Sequence, residues 1–280
     1  MLADCHMHMV LDGVDWKAAL QKHAAAPDME LIRAWLAVYR SKGFTYLRDG
    51  GDRWGAGKAA RSVAPEYSIT YRTPLTPLHK VGHYGGFIGT GFANEKEFAR
   101  LVRKNKADGA DFIKIMISGL MDFDRFGVLT ESPLDPKEIR LLIGIAHGEG
   151  MAVMVHANGA ATVTAAAEAG VDSVEHGAYL DEEALCAMVQ AGTVWVPTLS
   201  TVGNLRGKGR FSETAVRKIL DSATEKVNAF ASMGGLIAPG TDAGAWAVPH
   251  GSETEYALLT EAGVSAETLE CGIRAIQEKF

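Results

Sequence analysis

The sequence predicts an α/β protein folded as one (β/α)8 barrel, on two observations. Short apolar runs alternate along the chain with longer stretches of helical spacing. The runs are also apolar throughout rather than at every second position, as expected of strands covered on both faces in a parallel sheet. They fall at residues 3–10, 44–48, 68–75, 111–117, 151–157, 172–176, 193–199 and 236–241. Strand–helix units in series, joined by right-handed crossovers, close into a barrel. The 280 residues suffice for one, since such a barrel needs roughly 250.

The connecting segments read as helices at 28–42, 55–63, 94–107, 135–149, 160–169, 181–190 and 212–233. Two more, 253–262 and 266–278, complete the outer ring. Asn94, Asp135, Asp181 and Ser212 stand where a side-chain oxygen can accept the first free backbone N–H groups, so they are expected N-caps. Gly43, Gly109, Gly150, Gly170, Gly192 and Gly234 follow the last turns, where a left-handed residue ends a helix with least strain. No linker, low-complexity tract or second domain interrupts residues 1–280. The longest irregular segment, 74–92, carries HKVGHYGGFIGTG after the third strand and is expected to be a lid or binding loop.

Composition narrows the function classes. Basic residues number 28 and acidic residues 34, for a net charge of −6, with no basic run to meet nucleic acid. Hydrophobic residues make up 47% of the chain, yet no apolar stretch approaches the roughly 20 residues of a membrane span. The N-terminus MLADCHMHM has neither the basic region nor the cleavage site of a signal peptide. Cys5, Cys186 and Cys271 are too few and scattered for a disulfide framework, so a cytoplasmic protein is expected. Strand parity places His6 and His8 on one face and Cys5 on the other, as a packed thiol.

The chemistry collects at strand ends. His6 and His8 close the first run, and Lys114, His156, His176 and Asp242 close four later ones. In a parallel barrel those ends converge on a single face. Paired imidazoles inside a barrel must find partners for their ring nitrogens, and a metal ion is one. His156 and His176 taken singly are as well explained as strand-end caps, and Asp242 beside Gly244 as a turn residue. A carboxylate at that position can also accept a proton from water and pass it to a leaving group. A buried lysine such as Lys114 either pairs with an acid or, with its pKa depressed, reacts with carbon dioxide to form an anionic carbamate.

With these residues in order, the chain resembles the amidohydrolase superfamily. The segments GADFIKIMISG, AHGEGMAVMVHANG, AAEAGVDSVEHGAYLDEEALCAMVQAGTVWVPTLS and PGTDAG are similar to its prolidase-like and imidazolonepropionase-like branch. The resemblance implies a divalent metal, zinc first, with manganese and cobalt also suited to the donors. It further implies hydrolysis of an amide, ester or related bond in a small molecule such as an N-acyl amino acid or dipeptide. By motif, His6 and His8 would hold a more buried ion with Asp242, and His156 and His176 a second. Lys114, carboxylated at its amine, would bridge them. Asp242 is the implied proton acceptor and donor, and His176 or His83 the aid to the developing oxyanion. His83, Tyr84, Asn158, Arg48 and Arg206 are candidate substrate contacts.

The small β-sandwich of longer relatives is not expected, because the chain starts at the first strand and stops soon after the last helix. Two rival readings stay open: a mononuclear deaminase or cyclic-amide hydrolase, and a non-catalytic barrel that binds a small molecule. Trp16, Trp35 and Trp54 are expected either to pack or to cover a homo-oligomer interface.

Overall fold

The computed structural model describes residues 2–280. Its strands are β1 (Leu2–Met7), β2 (Phe44–Asp49), β3 (Thr70–Arg72), β4 (Leu78–Lys80), β5 (Thr90–Phe92), β6 (Ile113–Met116), β7 (Val153–Ala157), β8 (Ser173–His176), β9 (Val194–Val196) and β10 (Leu236–Ile237). The helices are α1 (Trp16–Lys22), α2 (Met29–Ser41), α3 (Ala56–Val63), α4 (Glu95–Ala107), α5 (Pro136–Gly148) and α6 (Ala160–Glu168). They continue with α7 (Glu182–Ala191), α8 (Ser200–Gly203), α9 (Glu213–Ser232), α10 (Thr254–Glu261) and α11 (Ala266–Lys279).

All pairings between these strands are parallel, in the orders β1-β2-β3 and β10-β9-β8-β7-β6-β4-β5. Single bonds join the two sheets into a cylinder. Asp111 N donates to Thr73 O at 3.0 Å on one side. On the other, Cys5 N donates to Pro239 O at 2.8 Å, and Met7 bridges Ala243 in parallel. The barrel staves are therefore β1, β2, β3 and β6 to β10, and they coincide with the apolar runs of the sequence.

Every expected cap forms. Asn94, Asp135, Asp181 and Ser212 accept N–H groups of Glu97, Lys137, Ala184 and Ala215. All six expected helix-ending glycines adopt positive φ. Three features differ from expectation. The segment 74–92 is not irregular throughout, because β4 pairs β6 beyond the end of β3 and carries β5 on its other edge. A three-residue strand has no periodicity to read. Helices α1 and α8 are likewise only seven and four residues long and were not expected.

Parity also needs correcting along β1. Between the pairs Asp4–Leu47 and Met7–Asp49 the register slips by one residue, so strict alternation fails there. Cys5 is still a buried thiol, packed in one cluster with Ala3, Tyr46, Met154, Val194 and Val196. Packing within one chain accounts for Trp35, whose ring stacks on His250 at 4.0 Å. Trp16 lies edge-on to Phe87 at 5.7 Å. No helix among the described residues is long and apolar enough to cross a membrane.

Helix α11 seats against the barrel through Gly272, where a Cβ would lie 1.9 Å from the carbonyl oxygen of Ile237. Gly272→Ala should therefore push α11 off β10 and cost about 1–3 kcal/mol, read as a lower denaturant midpoint. Gly144, with nothing within 4 Å of its would-be Cβ on α5, is the control: Gly144→Ala should stabilise by about 0.5–1 kcal/mol.

Candidate metal centre

The C-terminal strand ends bring the expected residues to one place. His6 Nε2 and His8 Nε2 lie 3.4 Å apart, and Asp242 Oδ1 lies 3.5 Å from the first and 3.2 Å from the second. One donor atom from each of the three fits within a 4.8 Å span, the only such group of His, Cys and acidic residues among those described. The ring of His176 is 5.0 Å from that of His6 and 4.4 Å from that of His156. Lys114 is buried, lines the same cavity and has no hydrogen-bond partner for its Nζ among the described residues.

Backbone geometry aims these side chains. Asp242 N donates to His6 O at 2.7 Å, and Asp4 accepts both Thr241 N (2.9 Å) and Thr241 Oγ1 (2.6 Å). Thr241 Oγ1 in turn accepts Ala243 N at 3.0 Å. Clamped on both sides, Asp242 sits at φ +55°, in the left-handed region. His176 (φ +69°) and Thr198 (φ +49°) are left-handed too. Such non-glycine conformations cost on the order of 1–3 kcal/mol each and persist where surrounding contacts enforce them.

Hydrogen bonds assign the ring nitrogens. His6 Nδ1 lies 2.7 Å from Glu175 Oε2 and donates to it, leaving Nε2 as the lone-pair donor that faces His8 and Asp242. His156 Nε2 donates to Gly119 O at 3.1 Å, which leaves Nδ1 free. His176 Nδ1 pairs with Thr198 Oγ1 at 2.7 Å. Burial, aided by the nearby Lys114, pushes His6 far below the usual histidine range and His156 down to about 3. Burial and the neighbouring His156 do the same to His176. Burial alone would raise Asp242, but His6, His8 and Lys114 outweigh it and hold the carboxyl below its ordinary range. Burial lowers Lys114 to about 8 against the opposing pull of Glu175. Neutral imidazoles at His6, His156 and His176 and an ionised carboxylate at Asp242 are the protonation states a divalent cation site requires, so the donor set fits one.

These groups line a cavity of about 670 Å³. Tyr84 lines it as expected, with its ring 4.8 Å from that of His156. Asn158 lines it as well, but its amide is committed: Nδ2 donates to Gly119 O at 3.0 Å and Oδ1 accepts Ala178 N at 2.9 Å. Its geometry is that of a clamp on the strand ends beside His156. Three other candidates lie away from the cavity. His83 faces Glu131 at 3.5 Å, and Arg206 is exposed, bonding Gly203 O. Arg48 is fully buried beneath the histidines and bonds Cys5 O, Ser173 Oγ and Glu175 Oε1. A guanidinium spent on buried acceptors cannot reach a ligand, so Arg48 supports the site from behind.

Glu175 was missed in the sequence, although SVEHG places it beside His176. An arginine and a glutamate inside two otherwise apolar strand runs were the available signal, because unpaired charges are not buried. Glu255 was missed as well. It accepts Ser200 N (2.7 Å) and Ser200 Oγ (2.6 Å) at the start of α8, just beyond Thr198.

The amidohydrolase family model matches residues 56–279, and the chain belongs to that family. Ochratoxinase of Aspergillus niger is 28% identical over 284 aligned residues, covering 86% of this chain and 57% of that protein. The chain thus spans little more than half the length of that relative. Among solved structures, a Xaa-Pro dipeptidase with bound methionine superposes with a TM-score of 0.78 at 23% identity, over 99% of this chain and 75% of the other. A prolidase complexed with N-methylphosphonate-L-proline gives 0.77 at 23%, over 99% and 73%. These likenesses bear out the barrel fold. His6, His8 and Arg48 precede the residues that the family model matches.

Two tests follow. Glu175 accepts His6 Nδ1–H on one oxygen and both Arg48 and Ser173 on the other. Glu175→Gln must therefore set its amide N–H against donors on one side, and metal affinity should fall roughly 10- to 100-fold in chelator competition. Burial also raises Glu255 from 4.5 to about 7, so the folded state retains a proton that the unfolded state has released. Stability then falls as pH rises from 4.5 through 7. The stability difference between wild type and Glu255→Gln should move against wild type between pH 5 and pH 8 in urea unfolding. A difference independent of pH contradicts this assignment.

Proposed function

We propose that this chain is a metal-dependent hydrolase that cleaves an amide bond in a small molecule of the N-acyl amino acid or dipeptide kind. The observation that carries this reading is the convergence of His6, His8 and Asp242, whose donor atoms lie within 4.8 Å of one another, with burial keeping His6 neutral and the neighbouring groups keeping the Asp242 carboxylate ionised. Family membership and the names of the relatives support the same class of reaction.

In this reading His6, His8 and Asp242 would hold one divalent ion, with zinc the first choice. His156 and His176 would hold a second, and Lys114 would supply a ligand to both as a carbamate, formed when its uncharged amine adds to carbon dioxide and releases a proton to solvent. A cation held there supplies Lewis acidity, making water a better nucleophile and polarising the substrate carbonyl. The protein's own part is proton handling and placement. Asp242 accepts the proton released as water attacks and returns it to the departing nitrogen. Glu175 and Arg48 keep His6 in one tautomer, and Thr198 keeps His176 turned toward His156. In a single-ion site, where His176 holds no metal, His176 rather than His83 would aid the oxyanion, because it lines the cavity and His83 does not.

A single-ion site is the second reading. Only three donors fall within the 4.8 Å span among the described residues, and Lys114 would then contact substrate. Elemental analysis of protein purified without chelator, with and without bicarbonate, separates the two. Two equivalents that fall to one in Lys114→Ala support the bridge, and two equivalents retained in that variant contradict it. In the same series, Asp242→Asn should lower kcat on N-acyl amino acids, dipeptides or cyclic amides by roughly 10²–10⁴-fold while leaving metal content largely intact. Undiminished turnover removes Asp242 from its role.

A further inference from the structure

Outside the metal centre, the fixed charges lining the cavity are those of Asp15, Lys17 and Arg210. Asp15 is already occupied, because its Oδ1 accepts Lys17 N (2.9 Å) and Ala18 N (3.2 Å) as the cap of α1. Lys17 and Arg210 remain. Neither has a carboxylate partner among the described residues.

The two cations are not equivalent. Lys17 rests at 5.4 Å over the ring of its own neighbour Trp16, which is 47% exposed. The Arg210 guanidinium lies 4.4 Å over the ring of Trp246 and 5.2 Å from that of Phe211, and both rings line the cavity. The segment that carries it is pinned. Phe211 packs on Phe123 at 5.2 Å and Trp246 at 6.0 Å, and Ser212 N donates to Asp124 Oδ1 at 2.7 Å. A guanidinium stacked on an aromatic face keeps its N–H edge free and offers a planar fork that matches a carboxylate. Arg210 is exposed at the rim while Phe211 and Trp246 beside it are half-buried, so the fork faces the cavity mouth over an aromatic wall.

We propose that Arg210 anchors a carboxylate of the substrate while Trp246, Phe211 and Phe87 receive a flat apolar group, an assignment that rests on the hydrolase reading above and narrows it. The substrate class is then an N-acyl amino acid or dipeptide with a free carboxylate and an aromatic substituent. Amides capped at that carboxylate are discriminated against. The metal centre selects the bond, and Arg210 with its aromatic neighbours selects the molecule.

The test uses metal-loaded Asp242→Asn protein, so that ligand is not consumed, and calorimetric titration with N-benzoylphenylalanine and its carboxamide. The acid should bind roughly 10- to 100-fold more tightly than the carboxamide, the usual range for a charge-assisted hydrogen bond. Adding Arg210→Gln should bring the two ligands within about twofold of each other, and Arg210→Lys should restore part of the gap, since ammonium keeps the charge but lacks the fork. Equal affinities before the second substitution overturn the proposal. So does a preference that survives Arg210→Gln, or one lost in Lys17→Gln instead. The readout is independent of catalysis. An Arg210-dependent preference in a protein whose wild type turns nothing over sustains the anchor and removes the hydrolase reading; turnover without that preference does the reverse.

Discussion

Closure of the barrel between β10 and β1 is the constraint on which the rest of the structure depends. The ladder there is thin, since β10 contributes only two residues to its pairing with β9. What joins the last stave to the first is a short series of specific bonds: Cys5 to Pro239, Asp242 to His6 and His8 N to Ala243 O. Asp4 reinforces the seam by accepting two bonds from Thr241. These contacts draw together residues more than two hundred positions apart. They also force Asp242 into a left-handed backbone that turns its carboxylate toward the histidines. The seam of the fold and the centre of the site are one set of atoms.

Below the seam the barrel carries an ionic floor. Arg48 and Glu175 are fully buried, and each finds several partners: Cys5 O, Ser173 Oγ and His6 Nδ1 among them. Arg48 also rests on Phe280, with the guanidinium 4.4 Å from the ring centroid, and that ring meets Phe112 edge-on. Burying such a pair is weak support for stability, because desolvation offsets most of the attraction. Its effect here is orientation. A carboxylate that accepts from His6 on one side is itself fixed by arginine and serine on the other, so the imidazole has one tautomer and one direction. The same logic repeats around the ring with Thr198 behind His176 and Gly119 O behind His156.

The cavity above this floor divides its labour by polarity. The inner end holds the imidazoles, Asp242 and Lys114, while the wall toward the rim is aromatic and carries two cations, Lys17 and Arg210, with no carboxylate partner among the described residues. Polar groups concentrated at one end of an apolar chamber fix the orientation of whatever enters, and apolar walls supply most of the contact area. Tyr84 joins the two zones by leaning on His156 from the segment between β4 and β5. The sequence marked that segment as a lid or binding loop from its histidines, aromatics and low charge, and Tyr84, Phe87 and Ile88 of it line the cavity. Which of its residues face inward was not legible, and Tyr84 rather than the adjacent His83 does so.

The eight staves, the caps at Asn94, Asp135, Asp181 and Ser212, and the places of His6, His8, His156, His176 and Asp242 at or just past strand ends were determined by sequence alone, whereas Lys114 is the second residue of β6 and not its last. Each is a local property: apolar runs, a side-chain oxygen one step before a helix, a polar residue ending a strand. Tertiary structure decided everything that depends on approach between distant segments. It set the bulge that breaks parity in β1, the partnership of Arg48 and Glu175 with His6, and the extra pairing of β4 with β6. It also turned Arg48 and His83 away from the cavity and brought Arg210 onto Trp246. Periodicity along a chain reports which face a residue occupies. Only packing decides what that face meets.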